Sequence, residues 1–259
     1  MSLEISIIEL VEHLSAYLWP FVRIGAFVMT MPVIGGSFVP RQARLLLAMA
    51  LTMVITPMVP LHNDVEFLSL AGLVLTFQEV IVGVAMGFAM QLVFDAIALG
   101  GQVIAMSMGL GFAVFLDRER GVNIPVLGQL FLMLGMLVFL ALDGHLALIQ
   151  LLSDSFRLLP ISSGGLGRVA ISNLLLWSSQ VFIVAMKIAL PAVTSLLVVN
   201  LSFGVTSRAA PTLNLFAVGF PVAMLLGFVV IFLSLGSLTE NVSRSLQDAL
   251  EILPGLLSP

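Results

Sequence analysis

The sequence contains no cysteine and only three histidines, and both shortages exclude kinds of catalytic or metal site. A chain of 259 residues without cysteine has no disulfide, no thiolate zinc site and no cysteine nucleophile. Because His13, His62 and His145 lie far apart in sequence, we do not expect a histidine-based metal centre. Walker, zinc-protease and nucleophile-elbow motifs are also missing, so we expect a chain that is not an enzyme and needs no cofactor.

Charged side chains are also scarce. They make up 9% of the residues, whereas apolar side chains make up 60% and the mean hydropathy is +1.18. Soluble domains are about 45–50% apolar and about 25% charged, so this composition predicts a membrane protein. The 10 basic residues against 14 acidic ones argue against nucleic-acid binding, which needs clustered basic side chains. Since the opening segment is acidic where a signal peptide would be positive, we expect insertion to use internal apolar segments.

Long charge-free runs divide most of the chain. A helix needs about 20 apolar residues to cross a hydrocarbon core of about 30 Å, so hydropathy predicts six or seven membrane spans in an all-α protein. These runs are 24–40, 45–63, 96–116, 121–142, 169–186, 188–207 and 209–239.

The last third of the sequence predicts a hairpin of two very long helices. One helix is expected over 169–206, about 57 Å at about 1.5 Å per residue, and the other from Thr212 towards Gln247, with a turn at 207–211. Each helix contains a proline, Pro191 or Pro221, at which we expect a kink. The small residues at 162–167 are the best linker candidate, so we predict one part over residues 1–165 and another over 166–259.

Four ionisable residues interrupt the apolar segments: Arg23, Glu79, Asp95 and Lys187. A charge at the bilayer centre costs about 2.5–3.5 kcal/mol, so each is expected to face protein, water or an opposite charge rather than lipid. We interpret them as buried charges or subunit contacts. The carboxylates could also relay protons or hold an ion, which would favour a transporter.

Small and polar residues recur at every fourth position of the third apolar segment. They form a slanted stripe on a helix, and the small pair Gly83 and Gly87 favours close packing against a crossing helix. Packing within the chain is the preferred interpretation, with a subunit contact or a pore lining as the alternatives. The stripe comprises Glu79, Gly83, Gly87, Gln91 and Asp95.

Lys187 shares one helix face with Gln180 and Thr194, because the three are spaced seven residues apart. Two interpretations are open. The lysine extends along the helix to the membrane surface, or it contacts an acidic group of a neighbouring subunit.

The stretch 107–116 is apolar but unlike a membrane helix. Gly109 and Gly111 each weaken a helix by about 1 kcal/mol, which favours a loop over the alternative of a helix that ends at Asp117. An apolar loop in lipid would leave its backbone groups without partners. The same loop is reasonable inside a protein channel, where apolar constrictions block water and ions.

In order along the chain, a series of short segments resembles the FliR family, the R subunit of the flagellar type III protein export gate. The resemblance extends from about residue 14 to residue 241. Its segments are 17–23, 38–41, 45–48, 78–83, 108–113, 125–127, 143–146, 155–160, 189–191, 208–211 and 214–221.

The resemblance implies an obligate hetero-oligomer in the bacterial inner membrane, at the flagellar basal body. Its partners would be FliP and FliQ, with FlhB above them and FlhA nearby, and its cargo would be unfolded flagellar export substrates. The family's R subunit looks like a P-like part fused to a Q-like helical hairpin. The hairpins stand partly above the membrane plane, on the periplasmic side, and the remaining surface meets lipid.

By position, one loop resembles the family's plug of the closed channel, with Phe112 and Phe115 as the bulky closing groups. The injectisome T subunits share this architecture and are one alternative. A small-solute transporter that uses Glu79, Asp95 and Lys187 is another, and a non-conducting membrane scaffold is a third. The implied plug consists of Gly109, Leu110, Gly111, Phe112, Ala113, Val114, Phe115 and Leu116.

Overall fold

The computed structural model describes residues 7–36, 38–59, 69–110, 126–161, 165–209 and 215–257. The regular elements in these ranges are all helical, which confirms the predicted all-α class. One 3-10 turn, Thr56–Met58, follows the second helix. The α-helices are α1 Ile7–Thr30, α2 Arg41–Ile55, α3 Leu70–Ser107, α4 Val126–Ala141, α5 Gly144–Leu158, α6 Arg168–Ser178, α7 Gln180–Ala209 and α8 Leu215–Leu257.

A tight turn ends α1 and directs the chain into α2. Val33 lies in the left-handed region with φ 69°, and the amide of Gly35 donates to the carbonyl of Met31 at 2.9 Å. Arg44, in the first turn of α2, donates to the carbonyls of Gly36 and Val39, both at 2.8 Å. The guanidinium therefore satisfies backbone groups that no helix covers, and it fixes the entry of α2.

α3 begins with a serine cap. The amide of Gly72 donates to the hydroxyl of Ser69 at 3.0 Å, which satisfies one of the free donors at a helix start. The helix then runs for 38 residues, and 61% of its most apolar stretch is buried within the chain. Among the three described stretches that are long and apolar enough to cross a membrane, it is the one most buried within the chain.

The chain forms two compact units. The first comprises residues 1–92, 143–178 and 248–259. Its core includes the fully buried Trp19, Phe27 and Phe156. The helix α3 contributes residues 70–92 to this unit. The predicted boundary near residue 165 stays a prediction.

The second unit comprises residues 93–142 and 179–247. In its core, Phe94 of α3 and Phe139 of α4 meet edge to face, with ring centres 5.4 Å apart. A Cβ atom on Gly101 would lie 2.8 Å from the carbonyl oxygen of Leu127, so the glycine lets α4 approach α3 closely.

Fewer helices have the length of a membrane span than hydropathy predicted. Among the described residues, α3, the stretch Arg168–Thr206 and the stretch Pro221–Gly255 are long and apolar enough, and α4 with α5 would make a fourth as one bent span. Within the described residues this is fewer than the six or seven spans that hydropathy predicted, because that prediction counted charge-free runs and not helices. The run 24–40, for example, contains the turn at Val33.

The last two predicted helices agree with the structure in position. The predicted helix over 169–206 corresponds to Arg168–Thr206, with a turn at Ser179 between α6 and α7. α8 extends ten residues beyond the predicted end at Gln247. Its 43 residues span about 64 Å at about 1.5 Å per residue, about twice the hydrocarbon thickness. Pro191 and Pro221 lie inside helices, and their kinks stay predictions.

Candidate functional site

Arg23 of α1 and Glu79 of α3 form a buried ion pair in the first unit. Arg23 is 1% exposed and Glu79 is 2% exposed. The Nε of Arg23 donates to Oε2 of Glu79, and Nη2 donates to Oε1 at 3.0 Å. This two-pronged arrangement matches the planar guanidinium to the carboxylate, which is the strongest geometry for such a pair.

The same guanidinium also binds the end of α5. Nη1 donates to the carbonyl oxygen of Ser155 at 3.0 Å and to its hydroxyl at 3.3 Å, and Nη2 donates to the carbonyl of Leu159 at 2.9 Å. The carbonyls of a last helical turn lack partners within the helix and carry partial negative charge, so a cation is favourable there. The guanidinium carbon lies 4.4 Å from the ring centre of Phe156, a cation–π distance.

We call Arg23, Glu79, Ser155, Phe156 and Leu159 the Arg23 cluster. It joins three helices, α1, α3 and α5, through one side chain. The donors of arginine all have an acceptor in the cluster, and both carboxylate oxygens of Glu79 accept from Arg23. The cluster is therefore a closed polar interior, and it leaves Glu79 poorly suited to carry an ion or a transported proton.

The glycines of the α3 stripe face α1. A Cβ atom on Gly83 would overlap the carbonyl oxygen of Arg23 and lie 2.9 Å from the Cβ of Ala26. A Cβ atom on Gly87 would overlap the hydroxyl of Thr30 and lie 2.9 Å from the amide nitrogen of Met31. Only glycine allows α1 and α3 to approach this closely.

The structure does not bring Asp95 and Lys187 into the Arg23 cluster. Asp95 lies in α3 and Lys187 in α7, both within the second unit, and both are exposed on the surface of the chain. The part of the chain that the structure describes offers Lys187 no ion pair. Gln180 is half-buried and Thr194 is exposed on the same helix.

The end of α3 is defined by its backbone. The amide of Gly109 donates to the carbonyl of Met106 and the amide of Leu110 donates to that of Ala105, each at 3.0 Å, while Gly109 has φ 82°. This is the Schellman arrangement, in which a left-handed glycine terminates a helix. α3 therefore ends at Ser107 rather than continuing to Asp117. The remaining predicted plug residues, Gly111 to Leu116, lie outside the described residues.

Several contacts in the first unit were not singled out from the sequence. The indole nitrogen of Trp19 lies 3.3 Å from the hydroxyl of Thr76, and that of Trp177 in α6 donates to the carbonyl of Ala89 at 3.2 Å. Buried tryptophans usually find such an acceptor, so the two tryptophans of the chain were a usable signal. The sequence did not identify the acceptors of these tryptophans, which lie 57 and 88 residues away along the chain.

No group of three or more histidine, aspartate or glutamate side chains that could hold a metal ion occurs within the ranges described above.

Comparison with known proteins identifies relatives over nearly the whole chain. The family model described as bacterial export proteins, family 1, matches residues 14–249. The flagellar biosynthetic protein FliR of Escherichia coli (strain K12) is 39% identical over 225 residues, which cover 87% of this chain and 86% of the relative. FliR of Pectobacterium carotovorum subsp. carotovorum is 36% identical over 96% of this chain and 95% of its own. FliR of Aquifex aeolicus (strain VF5) is 32% identical and covers 93% of both chains.

Proposed function

The chain belongs to the FliR family of bacterial export proteins, and from this premise we propose that it is a non-enzymatic subunit of the flagellar type III export gate. In this role it forms part of the protein-conducting channel together with FliP and FliQ. It contacts FlhB and FlhA, resides in the inner membrane at the basal body with parts on the periplasmic side, and is needed for flagellum assembly. Its cargo is unfolded flagellar export substrates.

The observation that carries this proposal is the abrupt end of α3 inside an apolar run. The charge-free stretch 96–116 continues past Ser107, yet the glycine turn at Gly109 stops the helix there. A chain that leaves a helix while still apolar needs surroundings that satisfy its backbone and bury its side chains. A plug that fills a channel with Phe112 and Phe115 meets both needs, because an apolar constriction excludes water and ions.

The C-terminal helices support a place among sister subunits. Only 33% of the most apolar stretch in 168–206 and 22% of that in 221–255 is buried within the chain. Both stretches exceed one bilayer crossing, so lipid alone does not account for their exposed length. We assign residues 1–165 to a P-like part and 166–259 to a Q-like hairpin, and Lys187 to a contact with a carboxylate of a neighbouring subunit.

Deleting residues 111–116 tests the plug. Gly109 and Leu110 are kept because they terminate α3. The chain should still assemble with FliP and FliQ, while the membrane should leak ions because the constriction is gone. The measurements are co-purification of the complex and a membrane-potential dye in cells.

Two further variants make this test specific. Phe112→Ala with Phe115→Ala removes only the bulky groups and should also leak. Phe232→Ala removes an exposed phenylalanine from α8 and should remain tight. A tight membrane with normal assembly in the deletion would overturn the plug function, and failure of the chain to co-purify with FliP and FliQ would overturn the gate assignment.

A further inference from the structure

The helix α8 has two parts that differ in the side chains they expose. Residues 215–235 contain no charged side chain and span about 31 Å at about 1.5 Å per residue, which matches a hydrocarbon core of about 30 Å. We call these residues the apolar band. Among the side chains of the band that the structure describes, the exposed ones are all apolar. The large side chains most exposed are Leu225, Phe232 and Leu233, at 66%, 72% and 76%.

Residues 236–257, which we call the C-terminal extension, expose a different set of side chains. All the charged side chains of α8 lie in this extension, and each of them is exposed. They are Glu240, Arg244, Asp248 and Glu251. Because they are spaced three or four residues apart, they share one face of the helix. Arg244 donates to Glu240 at 2.8 Å, although the two side chains are 66% and 69% exposed.

The opposite face of the C-terminal extension is apolar and packs against the rest of the chain. Its side chains also recur every three or four residues, and none is more than 4% exposed. They are Leu238, Val242, Leu246, Ala249 and Leu253. Ile252, at 41%, is the one large apolar side chain that the described part of the extension exposes. An apolar stripe towards the core and charges on the opposite face are typical of a surface helix in a water-soluble protein.

The charged face of the C-terminal extension is incompatible with hydrocarbon. A charged side chain in the bilayer interior is costly, and this face carries charges over three successive turns of the helix. In water, by contrast, an exposed ion pair between residues four apart is an ordinary feature of a helix surface. Arg244 has its counter-charge in the same helix, so it needs none from another molecule. Water therefore accommodates this face without any further partner.

We infer that α8 leaves the hydrocarbon layer between Leu235 and Glu240, and that the C-terminal extension lies in water beyond the membrane surface. The apolar band then crosses the membrane once, and about 33 Å of helix stands outside it. The charged residue that precedes the band along the chain is Arg208, which is exposed in the last turn of α7. Arg208 and Glu240 therefore lie on opposite sides of the membrane. The inference requires that α8 crosses a membrane, but it requires no channel, plug or partner subunit.

Thiol labelling of the full chain in native membranes tests this placement. Because the chain has no cysteine, each single-cysteine variant reports on one position. With a membrane-impermeant maleimide, Asp248→Cys and Glu251→Cys should react at least tenfold faster than Phe232→Cys, which replaces an exposed side chain of the apolar band. All three variants should react equally after denaturation in detergent, which controls for the amount of chain. Extension cysteines that react as slowly as Phe232→Cys in the native membrane would overturn the inference.

Membrane vesicles of the two orientations test whether the apolar band crosses the membrane. Asp248→Cys should react with the maleimide in vesicles of one orientation, and Arg208→Cys should react only in vesicles of the other. Labelling of both variants from the same side would show that the band does not cross, and the inference would be wrong.

A pair of charge substitutions gives a readout that does not use thiol chemistry. Leu225→Asp places a carboxylate at the midpoint of the apolar band, whereas Gln247→Asp places one on the exposed face of the C-terminal extension. Leu225→Asp should lower the amount of chain in carbonate-washed membranes at least tenfold, and Gln247→Asp should leave it unchanged. Equal recovery of the two variants would contradict the proposed boundary. None of these measurements depends on protein export, so failure of the gate assignment would not alter their outcome.

Discussion

The Arg23 cluster and the helices α7 and α8 differ in how they accommodate charged groups in an apolar chain: the cluster buries and pairs its charges, whereas α7 exposes Lys187. In the cluster, a buried cation meets a buried carboxylate and two helix-end carbonyls, and every partner comes from the same chain. On α7, Lys187 is exposed and forms no ion pair with the residues that the structure describes. The most apolar stretch of α3 is 61% buried, whereas that of α8 is 22% buried.

This difference in burial and pairing distinguishes the stability of the chain itself from the stability of its assembly with other subunits. The Arg23 cluster satisfies its own polar groups, so the fold around it depends on internal pairing. The second region leaves apolar surface and a charge for something outside the chain to cover. Substitutions in the Arg23 cluster should therefore affect the chain itself, and substitutions around Lys187 should affect assembly.

Glu79→Leu should have the largest effect. It leaves the guanidinium of Arg23 buried without its counter-charge, and breaking a buried pair from one side costs about 3–5 kcal/mol. The measurement is the thermal unfolding midpoint of the purified complex, together with the cellular level of the chain. An unfolding midpoint equal to that of wild type would show that the pair does not support the fold.

The double variant Arg23→Met with Glu79→Leu is the control for this prediction. It removes both charges and keeps the side-chain volume similar, so it should lose less stability than Glu79→Leu alone. Some loss should remain, because the carbonyl of Leu159 loses the Arg23 donor and that of Ser155 keeps only the Leu159 amide. A double variant less stable than the single one would contradict this account.

Gly83→Ala should have an intermediate effect. Its new methyl group overlaps the backbone carbonyl of Arg23, which has no flexible side chain to yield, so α1 and α3 must separate. Overpacking of this kind costs about 1–3 kcal/mol. Gly25→Ala in α1 is the matched control, because a methyl group there meets nothing within 4 Å and should be neutral or slightly stabilising. Equal unfolding midpoints for the two variants would rule out close packing at Gly83.

The sequence singled out two of the five members of the Arg23 cluster, Arg23 and Glu79, but not their pairing. The cost of a charge in an apolar segment was enough to single out Arg23 and Glu79. Two cations and two carboxylates allowed more than one pairing, and the actual partners are 56, 132 and 136 residues apart. Contacts at that separation arise from the tertiary fold, which local patterns do not encode.

The positions of the long apolar helices were predicted better than the number of membrane spans. The length and apolar character of 169–206 were sufficient to predict a long helical stretch there, which a turn at Ser179 divides into α6 and α7. α8 extends beyond the prediction because apolar residues recur at helical spacing, with Val242, Leu246 and Leu253 all buried, in a stretch whose charges suggested an end. The span count failed where a turn interrupts a charge-free run, since hydropathy does not register backbone geometry.

Lys187→Leu should have the smallest effect of the three, and it should act on assembly. If Lys187 meets a carboxylate of a neighbour, its loss should reduce recovery of the complex in native gels by several-fold, equivalent to about 1 kcal/mol. Lys187→Arg keeps the charge and should keep most of the recovery. The unfolding midpoint of the first unit should not change.

Arg244→Leu in α8 is the control for the effect of Lys187→Leu on assembly. Arg244 is also exposed, but it pairs with Glu240 one turn away at 2.8 Å, so its charge has a partner in its own helix. Such exposed pairs contribute about 0.3–0.5 kcal/mol, and their loss should leave recovery of the complex unchanged. If Lys187→Leu behaved like Arg244→Leu, the lysine would be one that extends to the membrane surface. If only Lys187→Leu lost the complex, its charge would require a partner from another subunit.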